Sequence, residues 1–423
     1  MSSVVDNKLE PQIHTMPNGL RVVAEHLPYV HSVSVGIWIK TGSANESAEV
    51  AGISHFLEHM LFKGTPTRTS RDLMEVIECR GGHMNAFTSK EYTCLYVKTL
   101  SQNLESGLDV LSDIIKNCIY SDLEKERNVI LEEIASGIDV PDEHIHDMMA
   151  KLVWPTHPLG RPIAGSHETV SNTHLEHIKA YKEHWYCPEN MLVSLVGQFD
   201  DQTIMTQLES FFGDIEKSKI DHVWEAPQAQ GGTVWEERDI AQNHLALSFP
   251  GTSVYGENRY HYDMMSSVFG GGSTSRLFDS IREEAGLAYS IYSYNSIYNQ
   301  TGALGVYAAV APENLRQTLD LTRDEIKKLQ DELVGNDELN SNREQLKGGL
   351  LLALEGTFNR MSRMARSIMF HNRIVSTNEI LDKVDEVTAE NIQVLAQQTF
   401  VEDKSAMAVL GPKAIEGEES LEL

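Results

Sequence analysis

Apolar residues alternate in the strand manner between about residues 18 and 40, at Leu20, Val22 and Ala24 and again at Val33, Val35, Ile37 and Ile39. A Pro17-Asn18-Gly19 turn precedes them. The period then lengthens to that of a helix near 51–63, and a second helix is predicted near 70–79, ending at Gly81-Gly82. A strand follows near 84–99, and long helical stretches cover roughly 103–118, 121–138 and 142–153. Strands and helices are mixed rather than strictly alternating, so the expected class is α+β, with helices sandwiched on sheets, and not a parallel doubly wound fold.

At 423 residues the chain exceeds what one hydrophobic core usually serves. From about 214 to 232 the periodicity is lost and polar and turn residues accumulate (Asp214, Glu216, Lys217, Lys219, Pro227, Gly231, Gly232). The expected division is therefore an N-terminal domain over 1–213, a linker over 214–232 and a C-terminal domain over 233–423. Tyr96, Asn103, Leu104, Leu108 and Asp109 recur 211 positions later as Tyr307, Asn314, Leu315, Leu319 and Asp320, which points to two homologous α/β-sandwich halves. Lys and Arg number 35 against 62 Asp and Glu, a net charge of −27, which excludes a simple nucleic-acid binder. No stretch has the ~18–20 uninterrupted apolar residues of a membrane span. The four cysteines, Cys79, Cys94, Cys118 and Cys187, form no CxxC pair and are expected as buried free thiols. Met1 to Gln12 has no apolar run, so the expected location is cytoplasmic, and the acidic tail Glu416 to Leu423 is expected to fray.

Candidate chemistry concentrates in His55-Phe56-Leu57-Glu58-His59. On a helix advancing about 100° per residue, with His55 at zero, His59 falls at about 40°, Glu58 at about −60° and Phe62 at about −20°. Ile53, Phe56, Leu57, Met60 and Leu61 fall between about 100° and 240°, a separate apolar face that docks the helix while both imidazoles point away. Two histidines at i, i+4 can share one zinc ion. Compared with HExxH, the glutamate lies about 80° to the other side of the histidine midpoint, so Glu58 can act as general base without being a ligand. The alternative is a pair of ordinary surface or core histidines.

A third ligand is needed, with a fourth position left open. The helix opening at Ser121-Asp122-Leu123-Glu124 carries a capping-box pattern and an apolar stripe of Leu123, Ile130 and Ile134. Glu126 and Glu133 lie about 60–80° from that stripe on one side, whereas Glu132 points away from it. Glu133 is the candidate ligand, and Glu126 the carboxylate behind a ligand histidine. The competing reading makes these glutamates a solvated flank.

The inverted HxxEH motif, followed after 73 intervening residues by Glu133 of Glu126-Arg127-Asn128-Val129-Ile130-Leu131-Glu132-Glu133, resembles the pitrilysin/insulinase family, particularly its mitochondrial-processing-peptidase-like branch. Gly81-Gly82-His83-Met84-Asn85-Ala86-Phe87-Thr88, His157-Pro158-Leu159-Gly160-Arg161, and Gly270-Gly271-Gly272 to Ser275-Arg276-Leu277-Phe278 look like family landmarks. The resemblance implies a zinc endopeptidase with one Zn2+ per chain, held by His55, His59 and Glu133 in the N-terminal domain. Asn85, Ala86 and Phe87 would lie on an edge strand that pairs with an extended peptide or unfolded polypeptide. Arg282 and Tyr289 resemble the family's Arg/Tyr pair that donates to the substrate oxyanion. The second half has no HxxEH of its own, and the resemblance implies a homodimer in which Arg282 and Tyr289 act in trans.

Two rivals accompany this reading: a non-catalytic partner or scaffold subunit, and a zinc hydrolase of small molecules. Other histidines are set aside as surface residues: His174 and His177 are spaced i, i+3 with no acidic helix, and His144 and His146 lie on different faces. The triple glycine lacks a following Gly-Lys-Ser/Thr and reads as a turn or helix-entry loop.

Overall fold

The computed structural model of the protein describes residues 11–218, 220 and 226–412, so the N-terminal segment, part of the linker and the acidic tail of the sequence reading lie outside the described residues. In chain order the first sheet is built from β1 (Gln12–Thr15), β2 (Arg21–His26), β3 (Ser32–Ile39), β4 (His83–Thr88), β5 (Thr93–Leu100) and β6 (Met191–Gly197). The second comprises β7 (Gly232–Glu237), β8 (Asn243–Pro250), β9 (Ala288–Ile297), β10 (Gly302–Val310) and β11 (Ala406–Gly411).

The expected mixed α/β class and duplicated halves are present. The first sheet runs β1-β2-β6-β3-β5-β4 and the second β7-β11-β8-β10-β9, the same order once β1 is set aside. In each, one pair is parallel (β2 with β6, β7 with β11) and the others are antiparallel. The sequence echo falls on equivalent places. Tyr96 lies on β5, which leads through the turn Ser101–Asn103 into helix Leu104–Asn117; Tyr307 lies on β10, which leads through Pro312–Asn314 into helix Leu315–Asp331.

The compact units do not follow a single cut near residues 214–232. One comprises 1–134, 162–223 and 352–375, the other 135–161, 224–351 and 376–423, so each half of the sequence gives one segment to the other unit. In the first unit, helix Thr357–His371 lies on the sheet face formed by β3 and β6. Small side chains make room for it: Ser34 Oγ and Thr357 Oγ1 are 2.9 Å apart, Ser194 Oγ donates to the Met361 carbonyl at 2.9 Å, and Gly36 faces Met361. In the second unit, helix Pro141–Val153 lies on β7, β8 and β11, with His144 Nε2 2.9 Å from Glu236 Oε2 on β7. His146 Nδ1 is 3.0 Å from the Tyr294 hydroxyl on β9. His144 and His146 are thus bound to separate partners and half-buried rather than free on the surface, because their helix is covered by a sheet that local sequence does not announce.

Three further expectations are corrected. The stretch 84–99 is a hairpin, β4 and β5, turned at Ser89–Tyr92, where the Ser89 N–H donates to the Tyr92 carbonyl at 2.8 Å. Helix Leu123–Asp139 has no Ser121–Glu124 box: the Ser121 hydroxyl donates to the Lys63 carbonyl at 3.2 Å, and the Glu124 carboxylate accepts from Arg127. All four thiols are free, but Cys79, at the end of helix Ser70–Glu78, is exposed. Among the described residues no helix is long and apolar enough to cross a membrane.

Candidate metal centre

Helix Ile53–Leu61 is set by its apolar face. Ile53, Phe56, Leu57, Met60 and Leu61 are all buried in the first unit's core, the helix lying beside helix Leu175–Trp185 and β4. Full burial of such side chains is worth roughly 1.5–3 kcal/mol each, which fixes which way the remaining face looks. That face presents His55, Glu58 and His59, all only partly exposed.

Glu133 of helix Leu123–Asp139 comes to meet them. Its Oε2 lies 3.4 Å from His59 Nε2 and 3.8 Å from His55 Nε2, and the three donor atoms all fall within 4.8 Å of one another. Donors held tetrahedrally at about 2.0–2.1 Å from a zinc ion are about 3.4 Å apart, so the cluster fits such an ion with one position left open. Among the described residues this is the one group of three or more potential ligands so placed. Glu132 is exposed and outside it, as its helical angle predicts.

Behind the donors the two histidines differ. His59 Nδ1 is 3.4 Å from Glu126 Oε2, and Glu126, 4% exposed, is paired through Oε1 with Lys63 Nζ at 2.5 Å. This carboxylate fixes the ring and turns Nε2 toward Glu133. His55 Nδ1 is buried without a hydrogen-bond partner. Burial, with the His59 charge adding to it, lowers the His55 pKa to about 4, so its imidazole is neutral at neutral pH and keeps the lone pair that ligation requires.

Glu58 stands beside the donor group. Burial raises its pKa, opposed by a hydrogen bond from Thr88 and by His59, while Glu133 adds to the rise. Thr88 Oγ1 donates to Glu58 Oε2 at 2.5 Å. Lys63 and Thr88 were not assigned roles from sequence. Thr88 closes the Gly81–Thr88 stretch, and a threonine at the end of an edge strand is the signal the sequence offers.

β4 pairs with β5 and is the last strand of its sheet. Asn85 is exposed, Ala86 buried and Phe87 half-buried. The Ala86 N–H is met by Asn85 Oδ1 at 2.9 Å, and Phe87 packs edge-on to Trp38, ring centroids 5.8 Å apart.

Residues 21–167 match the family described as Insulinase (Peptidase family M16), and residues 173–346 match the Peptidase M16 inactive domain. An uncharacterized zinc protease of Bacillus subtilis is 37% identical over 401 residues, covering 94% of this chain and 98% of that protein. The chain belongs to the insulinase (M16) peptidase family. A second M16 relative, an uncharacterized zinc protease of Mycobacterium bovis, is 37% identical over 413 residues, 96% of this chain and 94% of its own. Among solved structures, a protease from Helicobacter pylori superposes with a TM-score of 0.88 at 21% identity, covering 96% of this chain and 100% of that one. A chain of complex III2 from Candida albicans gives 0.85 at 18% identity, covering 95% of each. These two likenesses speak for the M16 fold alone.

Arg282 and Tyr289 of this M16 chain belong to the second unit. Arg282 lies in a π-helical segment, Phe278–Glu284, in which the Ala285 N–H reaches back five residues to the Ser280 carbonyl at 3.2 Å. Such wide turns re-aim side chains. The guanidinium donates to the Tyr289 carbonyl at 2.6 Å and stands 4.7 Å from the Tyr289 ring centroid, so the pair forms one group, and Tyr289 is 79% exposed. By strand and helix order, Arg259–Gly270 and Asn336–Ala353 of the second M16 half correspond to the two helices of the donor cluster. There Ser267 Oγ donates to Asn342 Oδ1 at 2.7 Å, so a hydrogen bond joins the two helices.

Proposed function

We propose that this M16 chain is a zinc-dependent endopeptidase that cuts peptides or unfolded polypeptides bound as an added strand on β4. What carries the reading is the convergence of two imidazole nitrogens and one carboxylate oxygen within 4.8 Å, beside a half-buried glutamate held by a hydroxyl. The zinc proteases among its relatives support the choice of metal. His55, His59 and Glu133 would hold one ion per chain. When bound, zinc supplies a Lewis acid that makes water acidic enough to lose a proton near pH 7.

Glu58 is the base. With Oε2 occupied by Thr88, Oε1 takes the proton of the attacking water. The raised pKa of a half-buried carboxyl then suits it to hand that proton to the departing amine. An extended substrate aligns along Asn85, Ala86 and Phe87, its backbone taking up the Ala86 N–H in place of the Asn85 side chain. Main-chain pairing of this kind accepts varied sequences, as a peptidase of unfolded polypeptides requires. Losing the Thr88 hydroxyl should misalign the base without disturbing the ligands. Thr88→Val is expected to lower kcat about ten- to a hundredfold, the worth of a hydrogen bond to a charged group, with KM and zinc content unchanged; Thr88→Ser should restore it.

Arg282 and Tyr289 are proposed to donate to the carbonyl oxygen as it becomes an oxyanion, supplied by the second chain of a homodimer. The test is complementation, with hydrolysis of a quenched peptide of several residues as readout. Glu58→Gln and Tyr289→Phe chains are each inactive alone; mixed and reassociated, they are expected to recover about a quarter of wild-type turnover, because half the dimers are mixed and each has one competent site. No recovery would overturn the arrangement in trans. Wild-type chain that bound zinc yet cut no such peptide would instead favour a non-catalytic partner subunit.

A further inference from the structure

The ligand-bearing helix Ile53–Leu61 begins at Gly52, which has a left-handed φ of +96° and no side chain with which to cap it. A Cβ there would lie 2.5 Å from the Ala164 carbonyl oxygen, so the helix start is wedged against that segment and only glycine fits. Its first N–H groups are satisfied from elsewhere. Glu46, 3% exposed, accepts from the Gly52 N–H through Oε2 at 2.7 Å and from the Ser54 N–H through Oε1 at 2.8 Å. A carboxylate at this end also meets the positive pole of the helix. The Ser54 side chain continues the contact: its Oγ is 2.7 Å from the hydroxyl of buried Tyr181, which is 2.6 Å from Thr41 Oγ1. The first turn is therefore gripped by a two-pronged carboxylate and by a three-hydroxyl chain anchored on helix Leu175–Trp185.

His55 follows Ser54 directly, and Glu58 and His59 lie one turn on. A helix of nine residues held at one end by two short bonds has its rotation and axial position set there. We propose that Glu46 is a positioning residue of the metal centre: by clamping Gly52 and Ser54 it fixes the direction in which His55 and His59 present Nε2 to Glu133, with Tyr181 as its support. Replacing a carboxylate oxygen by an amide nitrogen puts a donor against a helix N–H, so one prong is lost and the helix can turn by some degrees about the other. Small misplacements of ligand support typically weaken metal binding ten- to a hundredfold.

This inference rests on the zinc reading, and wild-type protein separates the two. Zinc affinity is measured by competition with a chromophoric chelator, and ligand geometry by the visible absorption of the Co2+-substituted protein. Hydrogen exchange of the Ser54 to His59 amides is followed in metal-free protein. Wild-type protein that binds no metal at His55, His59 and Glu133 defeats the zinc reading itself. Given wild-type binding, Glu46→Gln is expected to bind zinc about ten- to a hundredfold more weakly, to shift the Co2+ bands, and to exchange faster across the ligand helix. Tyr181→Phe, a milder change, should move all three in the same direction, and it carries the test should the Glu46 variant not fold. Leu208→Ala, a fully buried position on helix Ile204–Phe212, which packs on helix Leu104–Asn117, supplies a comparison of lowered Tm with unaltered Co2+ bands. Glu46 and Tyr181 variants that lower Tm as Leu208→Ala does, while zinc affinity and Co2+ bands stay at wild type, overturn the proposal.

Discussion

Glu133→Gln is expected to strip the protein of zinc and of turnover together. The carboxylate is the sole donor brought by helix Leu123–Asp139 to the histidine pair, and an amide oxygen is a much poorer partner for a hard dication. Carboxylates that merely support ligands are worth ten- to a hundredfold in metal affinity, so loss of a ligand should exceed about a hundredfold. Dialysed Glu133→Gln protein should carry well under one zinc per chain by elemental analysis where wild type is expected to carry one. The side chain is half-exposed, at 46%, and it packs into no core, so the fold should survive with an unchanged far-ultraviolet spectrum. Full zinc occupancy in this variant would remove Glu133 from the ligand set and shift attention to its neighbours.

Glu58→Gln separates binding from chemistry. Glutamine keeps the shape and can still accept from Thr88 at its remaining oxygen, but it cannot take a proton. A general base contributes about 10²–10⁴ in rate, and kcat should fall by that factor while zinc stoichiometry holds at one per chain. Loss of metal in this variant would mean that Glu58 is a ligand, and unchanged kcat would mean that the base lies elsewhere.

The convergence of His55, His59 and Glu133 is legible because their facing is written locally. Five apolar residues within nine fix which face of the helix turns outward, and a similar angular argument separates Glu133 from Glu132. Where the cause is distant, the sequence is silent. Ser34, Gly36 and Ser194 look like the solvent side of alternating strands, yet they are the small residues that let a helix that meets Ser34 from 323 positions and Ser194 from 167 positions further along the chain lie down on the sheet. Ser89-Lys90-Glu91-Tyr92 has no glycine, proline or asparagine, so its turn, closed by backbone and hydroxyl bonds, was read as continuous strand. Glu46 sits in an undistinguished loop, and nothing near it in the chain marks it as the cap of a helix that begins seven residues later.

The exchange of helices bears on how the protein is made. The first unit is complete only when residue 375 has been synthesised, so the sheet that supports the donor cluster must leave the ribosome with one face bare and wait for Thr357–His371. Until then that nascent surface is exposed to aggregation and to chaperones, and a chain broken after the linker would release an amino-terminal fragment that carries His55, His59 and Glu133 without the helix that completes its unit.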